Sequence, residues 1–260
     1  MNQVIKLIII LSIISCAHKV QHKKSANYEQ FLGATLWIQQ AGEVRALTYQ
    51  AYNIARTRLD AILARNHNKN LAVVVDADET IVDNSPFQGK MILEAKTYTP
   101  GDWDEWINLA SASAVPGSVE FLNYANSKGV KVFVITNRNN KHFNKTYKNL
   151  KRLGFPITKS QLIMKTTTSN KMKRRARVLK NHEIVLLMGD NLNDFSEIFE
   201  HKSTRQRNKL TDQYRKQFGH KFIVLPNPMY GDWENALYDY KRTYSDSEKA
   251  QLRKELIKSY

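Results

Sequence analysis

The sequence predicts an α/β fold: a parallel sheet with helices on both faces, plus a small helical domain or cap. Short apolar runs at 71–75, 130–135, 184–188 and 222–225 alternate with stretches of helical periodicity. Strands that alternate with helices become parallel neighbours joined by crossovers. The first three runs end abruptly in polar residues, at the place where an open α/β sheet presents its side chains to a ligand.

In chain order, the N-terminus comes first. Lys6 precedes an apolar run at 7–14, broken only by Ser12 and followed by Ser15-Cys16-Ala17. The run is too short to span a bilayer, which takes about twenty residues, and has the proportions of a signal-peptide h-region. Residues 13–16 resemble a bacterial lipobox, which implies cleavage before Cys16 and acylation of it; a free or buried thiol is the alternative. Cys16 is the sole cysteine, so no disulfide is expected. Ala17 resembles the outer-membrane sorting pattern. Residues 1–15 are thus expected to be a lipoprotein signal peptide and 16–26 a tether, with the protein lipid-anchored in the bacterial cell envelope, at the outer membrane.

Residues 27–67 carry apolar side chains at helical spacing with no proline, which predicts two helices packed on the core. Residues 68–240 contain the four strands. Within them, 83–116 has no strong strand but several aromatics and prolines, and is the candidate cap. Ser245 and Glu248 form a capping-box pattern that opens a last helix within 241–260.

The chemistry gathers at the strand ends. Asp76 and Asp78 follow the first strand and, as alternate residues, leave it on one face. Two close carboxylates are tolerated when a cation sits between them or one is protonated; one could serve as nucleophile and the other as proton donor. A solvated turn has the same composition. Asp190 and Asp194 follow the third strand after Gly189. Thr136, Asn137 and Arg138 follow the second, offering a hydroxyl, an amide and a guanidinium, all phosphate-binding groups. Residues 166–171 lead into a basic helix in which Ser169 is the expected N-cap. Lys171 would then lie in the first turn, where the helix dipole disfavours a cation unless an anion is there to meet it.

In order, these stations resemble the haloacid-dehalogenase superfamily, and more narrowly the class C acid phosphatases, bacterial surface lipoproteins that hydrolyse phosphomonoesters and 5′-nucleotides. The resemblance also takes in Asp83-Asn84-Ser85-Pro86, Asp102-Trp103-Asp104-Glu105-Trp106, Val115-Pro116-Gly117 and Tyr230-Gly231-Asp232-Trp233-Glu234, and covers most of the chain from about Asn27 onward. It implies a Rossmann-like core and a metal-dependent phosphomonoesterase. Asp76 would be the nucleophile, forming an aspartyl phosphate, and Asp78 the general acid and then base. Mg²⁺ would be held by Asp76, the Asp78 main-chain carbonyl and Asp190. Thr136, Asn137 and Lys171 would bind the phosphoryl group, and Asp194 would orient Lys171 or a metal-bound water. Trp103 and Tyr230 match positions whose rings clamp a nucleotide base. A phosphotransferase would keep the same motifs, and a non-catalytic haem- or polyanion-binding lipoprotein is the remaining rival. Oligomerisation stays open.

Composition narrows the partners. A formal charge of +16 and a pI near 9.8 favour anionic ligands. The basic residues read as spread along the chain, with one dense cluster at 171–180. No nucleic-acid module with stacking aromatics is present, which argues against nucleic acid as the partner. No metal-spaced His or Cys cluster favours Zn²⁺, and no Gly-rich loop points to ATP.

Overall fold

The computed structural model describes residues 26–65, 70–241 and 243–260; the expected signal peptide, Cys16 and almost all of the expected tether lie outside them. The helical start is two helices, α1 (Ala26–Gln40) and α2 (Gly42–Leu63). They separate at Ala41, whose extended backbone (φ −78°, ψ 129°) interrupts the helical turn. The chain continues through β1 (Leu71–Val75), β2 (Val82–Asp83), α3 (Ser85–Leu93), α4 (Pro100–Leu109), β3 (Ser113–Ala114) and α5 (Ser118–Ser127). Then follow β4 (Lys131–Asn139), α6 (Phe143–Arg152), β5 (Leu162–Lys165), α7 (Met172–Leu179) and β6 (Glu183–Gly189). The last elements are α8 (Thr204–Gln213), β7 (Phe222–Val224), α9 (Asp232–Leu237) and α10 (Asp246–Leu256).

The sheet order is β5-β4-β1-β6-β7 with every pairing parallel, and β2 and β3 form a separate antiparallel pair. β1 is central and buried at all five positions. Leu71, Val73 and Val75 face a layer that includes Leu59 of α2, Phe121 and Leu122 of α5 and Leu150 of α6. Ala72 and Val74 face the opposite layer with Val178 of α7, Phe195 and Phe222. Burial on both faces is why this strand reads as an unbroken apolar run, and each Val or Leu so placed contributes roughly 1.5–3 kcal/mol. The first acidic pair is therefore carried by the best-anchored strand of the fold.

Two departures from expectation are informative. β5 was not anticipated: Leu162–Lys165 is a four-residue edge strand, too short for its apolar run to stand out from a helix segment. Ser169 is not an N-cap. The carbonyls of Thr168, Ser169 and Asn170 all accept from the Arg174 guanidinium, which holds the loop unwound, so the helix begins at Met172 with Lys171 at the capping position. The four expected strands and the two N-terminal helices are present, as is the Ser245–Glu248 capping box. Above the carboxyl ends of the strands, α1 packs on α3 and α10, and α4 packs on α6. Among the described residues no helix is long and apolar enough to cross a membrane.

Candidate active site

Beyond the ends of β1, β4 and β6 opens a cavity of about 580 Å³ whose lining includes Asp76, Asp78, Asn137, Lys171, Asp190, Asp194, Trp103 and Tyr230. Thr136 is the one expected site residue of the core that does not line it. The register explains the convergence. Val75 is level with Val134 of β4 and Met188 of β6, and the Asp76 amide donates to the Met188 carbonyl at 2.9 Å. Asp76, Ile135 and Gly189 thus stand at one height, with Thr136, Asn137 and Arg138 following inside β4, which runs past its expected end at 135.

Lys171 is the centre of the charge arrangement. Its buried ammonium donates to Asp76 Oδ1 and, at 2.7 Å, to Asp194 Oδ1. The cation expected to await an anion has already met two. Burial works against this ammonium, yet Asp194 and Asp76 hold it above its ordinary value. The Asp194 carboxylate also accepts from the Asn191 amide at 3.0 Å and packs against Gly189, where a Cβ would fall 2.5 Å from Asp194 Cβ. Only glycine fits there.

Burial pushes the Asp76 carboxyl up to about 7; Lys171 pulls it down, while Asp194 and Asp78 push it further up. Burial, then Asp194 and Asp76, also raise Asp190 well above the usual carboxylate range. Asp190 is held by Asn227 Nδ2 at 2.8 Å and by Thr80 Oγ1 at 3.4 Å. One oxygen each from Asp76, Asp190 and Asp194 lies within 4.8 Å of the others. Three carboxylates that crowd one another, Asp190 half-buried beside buried Asp76 and Asp194, with oxygen the only donor, fit a hard divalent cation. The Asp78 carboxylate is not in this group, so Asp78 could reach a metal there only through its main chain.

Asp78 is turned instead toward β4. Arg138 Nε donates to its Oδ1 at 2.9 Å, with Nη2 at ion-pair distance, 2.8 Å, and Asn84 Nδ2 donates to the same oxygen at 2.9 Å. Its Oδ2 meets Thr136 Oγ1 at 3.4 Å. Thr136 is fully buried behind Asp78 and also receives the Arg138 amide at 3.1 Å. A phosphoryl oxygen would have to replace the long Thr136–Asp78 contact to gain this hydroxyl. Asn137 is exposed, with its Oδ1 fixed by Arg174 Nη2 at 2.6 Å.

The two expected stacking rings reach the cavity from different directions. Trp103, on α4, packs edge-on against Phe87 at 5.0 Å and lies 5.8 Å from the Arg138 guanidinium. Tyr230 follows β7, and its hydroxyl donates to Glu79. Glu79 is buried in left-handed backbone (φ 54°). Burial, then Asp78 and Asp190, lift its carboxyl well above the usual range. Asn84 ties these parts together, bonding Glu79, Asp78, Arg138 and the Trp106 indole.

Asn84, Glu79, Arg174 and Asn227 are therefore parts of the site that were not among the candidate residues. Asn227 carried the same signal as the others, a polar residue just past a strand. Asn84 stood inside a quoted motif without a role, and the Arg138 guanidinium, expected with Thr136 and Asn137 to bind phosphate, holds Asp78 instead.

Comparison with known proteins agrees with this geometry. Residues 11–233 match the model of the family described as HAD superfamily, subfamily IIIB (Acid phosphatase). The chain is 48% identical to the class C acid phosphatase from Bacillus anthracis, with a TM-score of 0.86, covering 90% of this chain and 98% of that one. The tungstate-bound form of the Bacillus anthracis enzyme superposes with a TM-score of 0.87 at the same identity and coverage. Acid phosphatase 1 of Solanum lycopersicum is 26% identical over 164 residues, 60% of this chain and 57% of its own length. A stem 31 kDa glycoprotein of Glycine max is 26% identical over 174 residues, 64% of this chain and 61% of its own length. The chain thus spans less than two thirds of these plant relatives.

Proposed function

Because the chain belongs to subfamily IIIB of the HAD superfamily, the acid phosphatases, we propose that it hydrolyses phosphomonoesters, nucleoside monophosphates among them, with Mg²⁺ as its metal. The observation that carries this is the contrast between two neighbouring carboxylates: Asp76 sits on Lys171, and Asp78 on Arg138 and Asn84. Paired acids in unlike surroundings are how a site separates nucleophile from proton donor. Tungstate, bound by the Bacillus anthracis relative, is a tetrahedral oxyanion like phosphate and supports an anion site in this cavity.

Asp76 attacks phosphorus, forming an aspartyl phosphate as the ester P–O bond breaks. Asp78 gives its proton to the departing oxygen, then takes one from the water that cleaves the intermediate. Arg138 and Asn84 each donate to Oδ1, which leaves Oδ2 to carry that proton. Lys171 and the Asn137 amide stand where they can neutralise and orient the phosphoryl oxygens. Asp76, Asp190 and the Asp78 main-chain carbonyl would hold Mg²⁺, which supplies charge neutralisation and polarises a phosphoryl oxygen. Asp194 positions Lys171.

Asp76→Asn should keep the fold and lose turnover of aryl phosphates and nucleoside monophosphates by several powers of ten, and chelation should silence the parent until Mg²⁺ is returned. Turnover of Asp76→Asn within an order of magnitude of the parent refutes the assignment. The cell-envelope location rests on the sequence around Cys16, where Cys16→Ser should abolish incorporation of labelled fatty acid. Undiminished label in that variant would place the anchor elsewhere.

A further inference from the structure

The positive charge is not spread along the chain as its basic residues first suggest. Between Glu120 and Glu183 there is no Asp or Glu, and the Lys and Arg in that interval equal the whole formal excess of +16; the remaining Lys and Arg are matched by the 24 acids outside it. The fold collects this interval at one end of the molecule. It comprises the C-terminal half of α5, then β4, α6, β5 and α7, with β5 at the sheet edge. α6 packs on one face of the sheet and α7 on the other.

We propose that this edge is a docking surface for anionic lipid headgroups. Four of its cations are committed to carboxylates: Arg138 to Asp78, Lys141 to Asp104, Lys171 to Asp76 and Asp194, and Arg175 to Glu197. Lys145 and Lys148 on α6, Lys159 before β5, Lys173 and Arg177 on α7, and Lys180 at its C-terminal cap are exposed and have no carboxylate partner among the described residues. On α7 they recur at the spacing of one helix face, opposite buried Val178.

The arrangement fits a laterally extended field of phosphates better than a polynucleotide. Base stacking needs free rings, and the rings here are engaged: Phe155 is buried, Phe143 stacks on Tyr147 at 6.2 Å, and Phe133 meets His182 edge-on at 5.1 Å. These six cations lie before the edge strand β5 and on the helices over the two faces of the sheet, α6 on one and α7, which packs on β4 and β6, on the other, and they line none of the cavities described among these residues. Strand ends and strand edges point in different directions, so seating the β5 edge on a bilayer leaves the cavity beyond the strand ends open to solvent. This surface is independent of the chemistry in that cavity.

The test uses the full chain carrying Cys16→Ser, so that acylation does not mask the effect, sedimented with vesicles of phosphatidylcholine with or without phosphatidylglycerol. The protein should bind the phosphatidylglycerol vesicles more tightly, and about 0.5 M salt should remove the difference. Lys173→Gln/Arg177→Gln/Lys180→Gln and, separately, Lys145→Gln/Lys148→Gln/Lys159→Gln should each weaken that binding about 100-fold, with parental thermal melts and unchanged binding to phosphatidylcholine alone. Equal binding of the parent to both vesicles, or triple variants that bind like the parent, overturns the proposal. So does tighter binding of an oligonucleotide than of the anionic vesicles, which would give the edge to a polynucleotide. If one triple variant fails to fold, the other triple and the salt titration of the parent decide.

Discussion

Gly189→Ala tests how closely the site depends on one backbone approach. The added methyl would fall 2.5 Å from Asp194 Cβ and 2.7 Å from Cγ. Carbon atoms pack at about 3.5–4.0 Å, so Asp194 must withdraw by about 1 Å. Its carboxylate bonds Lys171 Nζ at 2.7 Å and the Asn191 amide at 3.0 Å, and neither bond survives that shift unchanged. Losing one hydrogen bond to a charged group costs about 1.5–3 kcal/mol. At about 2–4 °C per kcal/mol for a domain of this size, the melting temperature falls by roughly 3–12 °C. Lys171 loses one of its two anchors, and a misplacement of about 1 Å near reacting groups lowers turnover on the order of 100-fold. The assay is kcat and Tm for Gly189→Ala, Asp194→Gly and the double variant. Because the glycine acts through Asp194, and Asp194→Gly also removes the Cβ met at 2.5 Å, the double variant should be no worse than Asp194→Gly alone. Parental kcat and Tm in Gly189→Ala, or losses that add in the double variant, refute the reasoning.

Arg138→Gln removes the hydrogen bond and ion pair by which Arg138 holds Asp78 Oδ1 and should lower kcat by about 10- to 100-fold with little change in KM; a change confined to KM would mean that Arg138 binds substrate instead of holding the acid. In the metal-free protein, Asp76 titrates near 7 against an ordinary value of 3.8. A carboxyl raised on folding stabilises in its protonated form, so that contribution is complete below about pH 4 and is lost as pH rises through 7. Melts in chelator should therefore fall from pH 4 to 7 relative to Asp76→Asn, and added Mg²⁺ should flatten the slope; a parallel or rising difference contradicts the shift. Trp103→Ala and Tyr230→Ala should each raise KM for nucleoside monophosphates by about 5- to 150-fold, the equivalent of roughly 1–3 kcal/mol of stacking, with a much smaller effect on a small alkyl phosphate. Equal losses on both substrates would make these rings supports of the fold.

Much of the architecture was legible because its signals are local. β1 and β6 are buried on both faces and appear as uninterrupted apolar runs, and the boundary where such a run meets Asp76 or Gly189-Asp190 is itself the end of the strand. The α1–α2 pair showed its helical spacing, and the final helix its capping box. β5 escaped because four residues are too few for a period, and β2 and β3 are shorter still. The N-cap misreading at Ser169 has a different cause: a guanidinium arriving from the next helix collects the loop carbonyls, and local propensity cannot register a contact of that kind.

Residue types at strand ends, the acid-free interval and its charge were determined by the sequence itself, since each is a property of neighbours along the chain. Which carboxylate sits on which cation was decided only in three dimensions. Lys171 reaches Asp76 across 95 positions, Arg138 reaches Asp78 across 60 and Tyr230 reaches Glu79 across 151. Those pairings depend on strand order and register, which bring β1, β4 and β6 to one height. The raised carboxyls of Asp76, Asp190 and Glu79 follow from the same packing, because the loss of water around a charge exists only once distant segments close over it.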